Sequence, residues 1–216
     1  MLIPKGLMRG LSLIPEEMAV ALIIRHSIRD KTPEGQVGDN VPLTAEGRQL
    51  AELLGITISS RLASIMSSPI WRCTETADHI IKGSGRKFSV TTSRLLGDPG
   101  AFIKDGQAAW INFQKMGTSG VMMHLAREDD ALPGMNNPRE AAHTLLKYML
   151  TKCVTPGLHI YVTHDVVLAG IAGQLIKGIE TQDSLPGFLE GAFFWRVDGR
   201  VFGRYQNRSS AIEQTG

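Results

Sequence analysis

The stretch Ala19-Val20-Ala21-Leu22-Ile23-Ile24-Arg25-His26-Ser27-Ile28-Arg29 decides how the chain is read. Six apolar residues, three of them β-branched, end abruptly in Arg25-His26, and a further arginine stands three positions after the histidine. A short apolar run bounded by polar, Gly- and Pro-rich sequence has the character of a fully buried strand. An unpaired charge is costly inside a core, so the Arg-His step predicts the strand's exit at the rim of a sheet. Open α/β sheets place their ligands at that rim. Like charges depress the pKa of an imidazole, so His26, between Arg25 and Arg29, is poorly placed to be a cation. A neutral imidazole flanked by guanidinium groups suits attack on an anion that the arginines hold; a basic surface loop is the plainer alternative.

The bulk properties narrow the field. With 216 residues, 43% of them hydrophobic and 20% charged, the chain reads as one globular domain with a sizeable core. A formal charge of +2 is too small by itself to suggest a nucleic-acid or membrane partner, and none is expected, so any anion site must come from local clustering of arginines. Cys73 and Cys153 give neither a disulfide framework nor metal-ligand spacing, and they are compatible with a reducing cytoplasm. Lys5 and Arg9 ahead of Leu11-Ser12-Leu13-Ile14 imitate a secretion signal, but Pro15-Glu16-Glu17 interrupts the apolar stretch. No run approaches the ~20 apolar residues of a bilayer span. The expectation is a cytoplasmic protein with residues 1–15 as an N-terminal extension.

After Arg29, residues 30–40 are polar and aperiodic, as a rim loop would be. Thr44 is the predicted N-cap of a helix carrying Leu50, Leu53 and Leu54, although Gly47 spoils a full capping box. Ala63–Ser67 is a second strand; Ser68 is suited to cap the next helix, Pro69 to its first position, and Gly83–Gly85 to end it. Arg72 falls in that helix's first turn, against the helix dipole, a conflict that a bound anion would relieve. Lys87–Thr91 alternates like a third strand. Residues 93–136 are the variable region: a loop over 94–100, a helix over Gln107–Met116, then a Met-bearing stretch readable as a lid, an apolar pocket or simply core. A helix over Pro138–Cys153, a strand over Leu158–Thr163 ending in His164-Asp165, and a buried helix over 166–177 follow. A hairpin turns at Asp198-Gly199, and residues 207–216 read as a frayed polar tail.

His26 and His164 are thus delivered by the same device, an apolar strand with a histidine at its end. Strands alternating with helices bring such ends to one rim, where Arg25, Arg29 and Arg72 would join them. Guanidinium groups repel a cation, so this set makes a poor metal site and a good phosphate site. The run Arg25-His26-Ser27-Ile28-Arg29, then Leu43-Thr44-Ala45-Glu46-Gly47, then Ser67 to Ala77 with Arg72, then Thr163-His164-Asp165, resembles the histidine phosphatase superfamily, which includes phosphoglycerate mutase-like enzymes and histidine acid phosphatases. The order and spacing extend over roughly residues 19–206.

The resemblance implies a three-layer α/β/α sandwich around a central mixed, mostly parallel sheet of the phosphoglycerate mutase-like kind. It also implies a metal-independent phosphatase that acts on a phosphomonoester, small-molecule or phosphoprotein, through a phosphohistidine, with no cofactor. By position, His26 is the nucleophile, Arg25, Arg29 and Arg72 hold the phosphoryl group, and His164 stabilises it. Where many members have Gly after Arg-His, this chain has Ser27, which adds a hydroxyl donor or only alters the turn. The proton donor is Asp165 if the acid-phosphatase pattern applies, and Asp98, or failing that Asp105, if the mutase pattern does. A phosphomutase and a non-enzymatic phospholigand-binding protein on the same fold are the alternatives. Glu190 is read as facing the pocket or, more plainly, as a solvated edge residue, and Cys73 as buried rather than nucleophilic.

Overall fold

A computed structural model describes residues 2–31, 38, 40–176, 179 and 181–213. Most of the expected rim loop, residue 177 of the helix expected over 166–177, and the end of the expected tail lie outside the described residues.

The decisive stretch is strand β1, Ala19–Arg25, with every residue from Val20 to Ile24 buried. It pairs in parallel with β4, Gly157–Thr163, which is buried throughout. On the far side of β4 lies β2, Leu62–Ser67, also parallel, and beyond it β3, Thr91–Thr92. On the other flank of β1 run three antiparallel strands, β5 (Gly191–Val197), β6 (Arg200–Tyr205) and β7 (Arg208–Ile212). The order is β3-β2-β4-β1-β5-β6-β7, so the described sheet is mixed, with three parallel and three antiparallel pairings rather than mostly parallel ones.

Alternation along β1 builds two cores. Val20, Leu22 and Ile24 pack with α1 (Lys5–Leu13), α2 (Ala45–Thr57) and α3 (Trp71–Ser84). Ala21 and Ile23 face the opposite way, towards α4 (Gly106–Arg127), α5 (Pro138–Lys152) and α6 (Asp165–Ile176). This is the expected α/β/α sandwich.

Several expectations change. Residues 5–13 of the segment read as an extension form α1, whose Leu7 is buried in the first core. The third strand shrinks to Thr91–Thr92, because Phe88 and Val90 alternate to pack on the core without a ladder partner. Leu53 is exposed, while Leu50 and Leu54 face the core. The helix expected to end at Met116 resumes beyond a break at Gly117 (φ 67°, ψ 168°) and runs to Arg127. Met122 and Met135 are buried in the second core. The tail does not fray at Gln206: residues 208–212 form β7, which covers the edge of β6 and buries Ile212.

Local chemistry then positions the rim. Thr44 caps α2 as expected, its hydroxyl accepting from Gly47 N at 2.9 Å. Gly47 is required by close approach: a Cβ there would lie 2.1 Å from the Ile28 carbonyl oxygen. Ser27, fully buried, donates to the Gly47 carbonyl at 2.7 Å, so its hydroxyl ties the strand exit to α2. Glu75 of α3 accepts from Leu43 N at 2.8 Å and from Arg48 Nε at 2.6 Å, closing the same seam. Overpacking a tight contact costs about 1–3 kcal/mol. Gly47→Ala is therefore expected to lose that order of stability in urea unfolding, and a variant as stable as the wild type would contradict this account of the seam.

Candidate active site

Three neighbouring parallel strands end almost flush. Arg25 pairs with Thr163, and Ser67 with Val162. The ladder runs one step further, with His26 N donating to Thr163 O at 2.8 Å and Ser68 N to Val162 O at 2.9 Å. His26, Ser68 and His164 therefore leave the sheet side by side. The two imidazoles meet edge to face, 5.8 Å between centroids.

His26 is buried, and its Nδ1 lies 2.8 Å from the Ser27 carbonyl. A carbonyl only accepts, so Nδ1 carries the proton and Nε2 keeps its lone pair. Burial, followed by the neighbouring His164, Arg72 and Arg25, holds its pKa well below the ordinary 6.5. His164 is held on both sides: Arg72 Nη2 lies 3.0 Å from Nδ1, and Ser68 Oγ 3.0 Å from Nε2. A guanidinium only donates, so Nδ1 accepts and Nε2–H donates to Ser68. Burial and then Arg72 lower the His164 pKa to about 3. Both rings are neutral, as the flanking arginines predict for His26.

Each arginine is anchored through its outer nitrogens. Arg25 donates from Nη1 to Pro186 O at 2.8 Å, and its Nη2 lies 2.8 Å from Asp165 Oδ2. Arg72 Nη1 donates to Gly38 O at 2.9 Å, and Arg29 Nη1 to Asp30 O at 2.8 Å. Arg25, Arg29 and Arg72 each retain a buried Nε with no hydrogen-bond partner among the described residues, as do Arg61 and Arg204 elsewhere. What sets the rim apart is convergence: Arg25 and Arg72 lower the pKa of Arg29, after its own burial, and all three lower that of His164. Uncommitted donors and concentrated positive charge around a neutral imidazole match the needs of a tetrahedral anion.

The structure thus brings Arg25, His26, Arg29, Arg72, His164 and Asp165 together. Asp165 is the first residue of α6, its Oδ2 pairs with Arg25, and its Oδ1 accepts from Val166 N at 2.9 Å, so it does not cap the helix as an N-cap residue would. Asp98 is exposed in the turn whose Gly97 packs on Ser68, with its carboxylate turned towards Gly106 at the start of α4. Ser68 and Pro69 do not start α3. That helix begins at Trp71 after Ile70, without a side-chain cap, while the Ser68 Oγ accepts from Ile70 N at 3.3 Å and from His164 Nε2 at 3.0 Å. Glu190 is not a solvated edge residue: its Oε2 accepts from the Tyr205 hydroxyl at 3.1 Å and from Gln206 Nε2 at 3.2 Å. Cys73 is buried against His164, and burial pushes its thiol up to about 12, which fits its reading as a non-nucleophile.

Two residues escaped the sequence reading. Ser68 carried only the signal of a cap. Phe188, in an irregular stretch before β5, carried none, yet its ring lies 4.2 Å from Arg25 Cζ and 5.7 Å from the His26 ring.

The sign of the pH dependence follows from the lowered imidazole values. An unfolded histidine takes up a proton near 6.5, whereas folded His164 resists until about 3. Between these values the unfolded chain binds more protons, so stability falls as pH drops below about 6.5. The ring ¹⁵N resonances of His164 are expected to keep the neutral pattern from pH 8 to about pH 5, and those of His26 to show no protonation near the ordinary 6.5. Protonation of either ring near 6.5 would contradict this electrostatic picture.

The model for the histidine phosphatase superfamily (branch 1) matches residues 21–98, a span that includes Arg25, His26, Arg29, Arg72 and Asp98 but not His164 or Asp165. No curated protein gives a significant match. Among solved structures, a phosphoserine phosphatase variant from Entamoeba histolytica, in complex with phosphoserine, aligns with TM-score 0.58 at 16% identity, covering 90% of this chain and 95% of its own. A mycobacterial glucosyl-3-phosphoglycerate phosphatase aligns with TM-score 0.55 at 16% identity, covering 87% and 98%. A structure described as mycobacterial hydrolase 1 aligns with TM-score 0.56 at 17% identity, covering 83% and 96%. At these identities the likeness is one of fold. No helix among the described residues is long and apolar enough to cross a membrane. The resemblance read in the motifs therefore holds: over residues 21–98 this chain matches the histidine phosphatase superfamily, branch 1, and its sheet and layers are those of solved phosphatases.

Proposed function

We propose that the protein is a phosphomonoester hydrolase that works through a phosphohistidine on His26 without a metal ion. The observation that carries this reading is the 2.8 Å contact of His26 Nδ1 with the Ser27 carbonyl, which leaves the Nε2 lone pair available amid three arginines. Nε2 attacks phosphorus in line, and the bond to the ester oxygen breaks. Arg25, Arg29 and Arg72 balance the charge on the equatorial oxygens, which in a loose phosphoryl transition state is where catalysis acts. His164, neutral and fixed by Arg72 and Ser68, shapes the wall beside the phosphoryl group.

The leaving oxygen takes a proton from Asp165. Water then attacks the phosphohistidine, returns its second proton to Asp165, and the N–P bond breaks to restore neutral His26. Asp165 is preferred over Asp98 because its carboxylate lies 2.8 Å from Arg25, one of the phosphate-binding cations. The solved phosphatases of the same fold support hydrolysis of a phosphomonoester.

Hydrolysis of 4-nitrophenyl phosphate is expected to persist in excess EDTA and to vanish in His26→Ala. Arg72→Ala should lose ~10²–10³ in kcat/KM, the scale of a removed electrostatic contact. Full activity of His26→Ala, or abolition by EDTA, would refute the mechanism. A general acid matters most for a poor leaving group. Asp165→Asn should therefore lose ~10²–10⁴ with an alkyl phosphate and far less with 4-nitrophenyl phosphate. The same selective loss in Asp98→Asn, and not in Asp165→Asn, would move the proton donor to Asp98.

A further inference from the structure

The segment Pro186-Gly187-Phe188-Leu189-Glu190 is joined to the site at every step. Pro186 O holds Arg25 Nη1 at 2.8 Å, Glu190 O accepts from Arg25 N at 2.9 Å, and Leu189 N donates to His26 O at 3.4 Å. Leu189 is fully buried and has φ 55°, a left-handed conformation that costs a β-carbon residue energy and persists only where the surroundings impose it. These contacts set Phe188 in place. Its ring lies beneath the Arg25 guanidinium and tilts at 51° to the His26 ring, yet it remains only half-buried.

An anion engaged by Arg25 and attacked by His26 must lie within reach of both, and Phe188 borders both. The other rim groups described above are guanidinium, imidazole, carboxylate and hydroxyl groups, so among them Phe188 is the aromatic surface that an apolar leaving group could pack on. The Phe188 ring has one face on Arg25 and His26 beside it, and it keeps part of its surface exposed. Aromatic pairs prefer offset or edge-to-face contact and are worth a factor of about two to ten in affinity beyond the area they bury.

We propose that Phe188 is a specificity-determining residue: it forms an aromatic wall beside the phosphoryl position and selects phosphate monoesters of planar aromatic alcohols, such as aryl phosphates or phosphotyrosine, over those of small polar alcohols. This rests on the assignment of the rim as the phosphate site. It does not rest on turnover.

The test uses two non-hydrolysable anions on the full chain, phenylphosphonate and methylphosphonate, with dissociation constants measured by calorimetric titration. Wild-type protein is expected to bind phenylphosphonate about two to ten times more tightly. That ratio should fall to about one in Phe188→Ala and survive in Phe188→Tyr, which keeps the ring. Both variants are compared with wild type by circular dichroism and unfolding, and Phe188→Tyr keeps the test decisive if Phe188→Ala does not fold, since loss of the ratio in a folded Tyr variant counts against the wall. Equal affinities in the wild type, or an undiminished ratio in Phe188→Ala, would overturn the inference while leaving the phosphate site intact. Binding of neither anion would overturn both. Preferential binding without hydrolysis of any monoester would sink the hydrolase reading and leave the wall standing.

Discussion

The parallel pairing of β1 with β4, with Arg25 opposite Thr163, is the constraint on which the rest of the site depends. Register in a sheet whose two faces are both buried is strongly specified, because a one-residue slip would turn Leu22 and Ile24 to the wrong core. The same hydrophobic pattern that fixes the register therefore fixes where the strands end. Both histidines emerge one residue beyond the last ladder pair, and β2 delivers Ser68 alongside them. Packing energy of the core thus sets the positions of polar groups that contribute nothing to that core.

The cost of this arrangement is electrostatic. Three guanidinium groups and two imidazoles crowd one rim, and the imidazoles answer by remaining neutral, burial being the largest cause for both, followed by His164 and then the arginines for His26 and by Arg72 for His164. The guanidinium groups cannot shed their charge, so they are restrained instead by backbone carbonyls at Pro186, Asp30 and Gly38 and by the Asp165 carboxylate. Carbonyl anchoring leaves most of the positive charge uncompensated. A preorganised cationic rim of this kind loses little reorganisation energy when an anion arrives.

Much of the site was legible because its residues sit where a strong period breaks. The apolar run to Ile24 and the run to Val162 each stop at a histidine, and no tertiary knowledge is needed to see that the stops align. Thr44 was legible as a cap for the same local reason. Ser68 was misread because its sequence signal, serine before proline, is satisfied equally by helix capping and by a bond to a histidine 96 positions away. β7 was missed because only one of its described residues, Ile212, is buried, so an edge strand there looks like a polar tail. The 118–127 helix was hidden by Gly117, and Phe188 by the absence of any period in its segment. Long-range partners, not local propensity, decide these cases.

The central claim is that a phosphoryl group passes through His26. The direct measurement is to mix the protein with an aryl phosphate, quench rapidly in alkali, where phosphohistidine survives, and map the modified peptide by mass spectrometry. The account predicts one phosphoryl group on the peptide carrying His26, released by mild acid. Turnover with no modified peptide, or a phosphoryl group on Ser27, Ser68 or Cys73 instead, would contradict it.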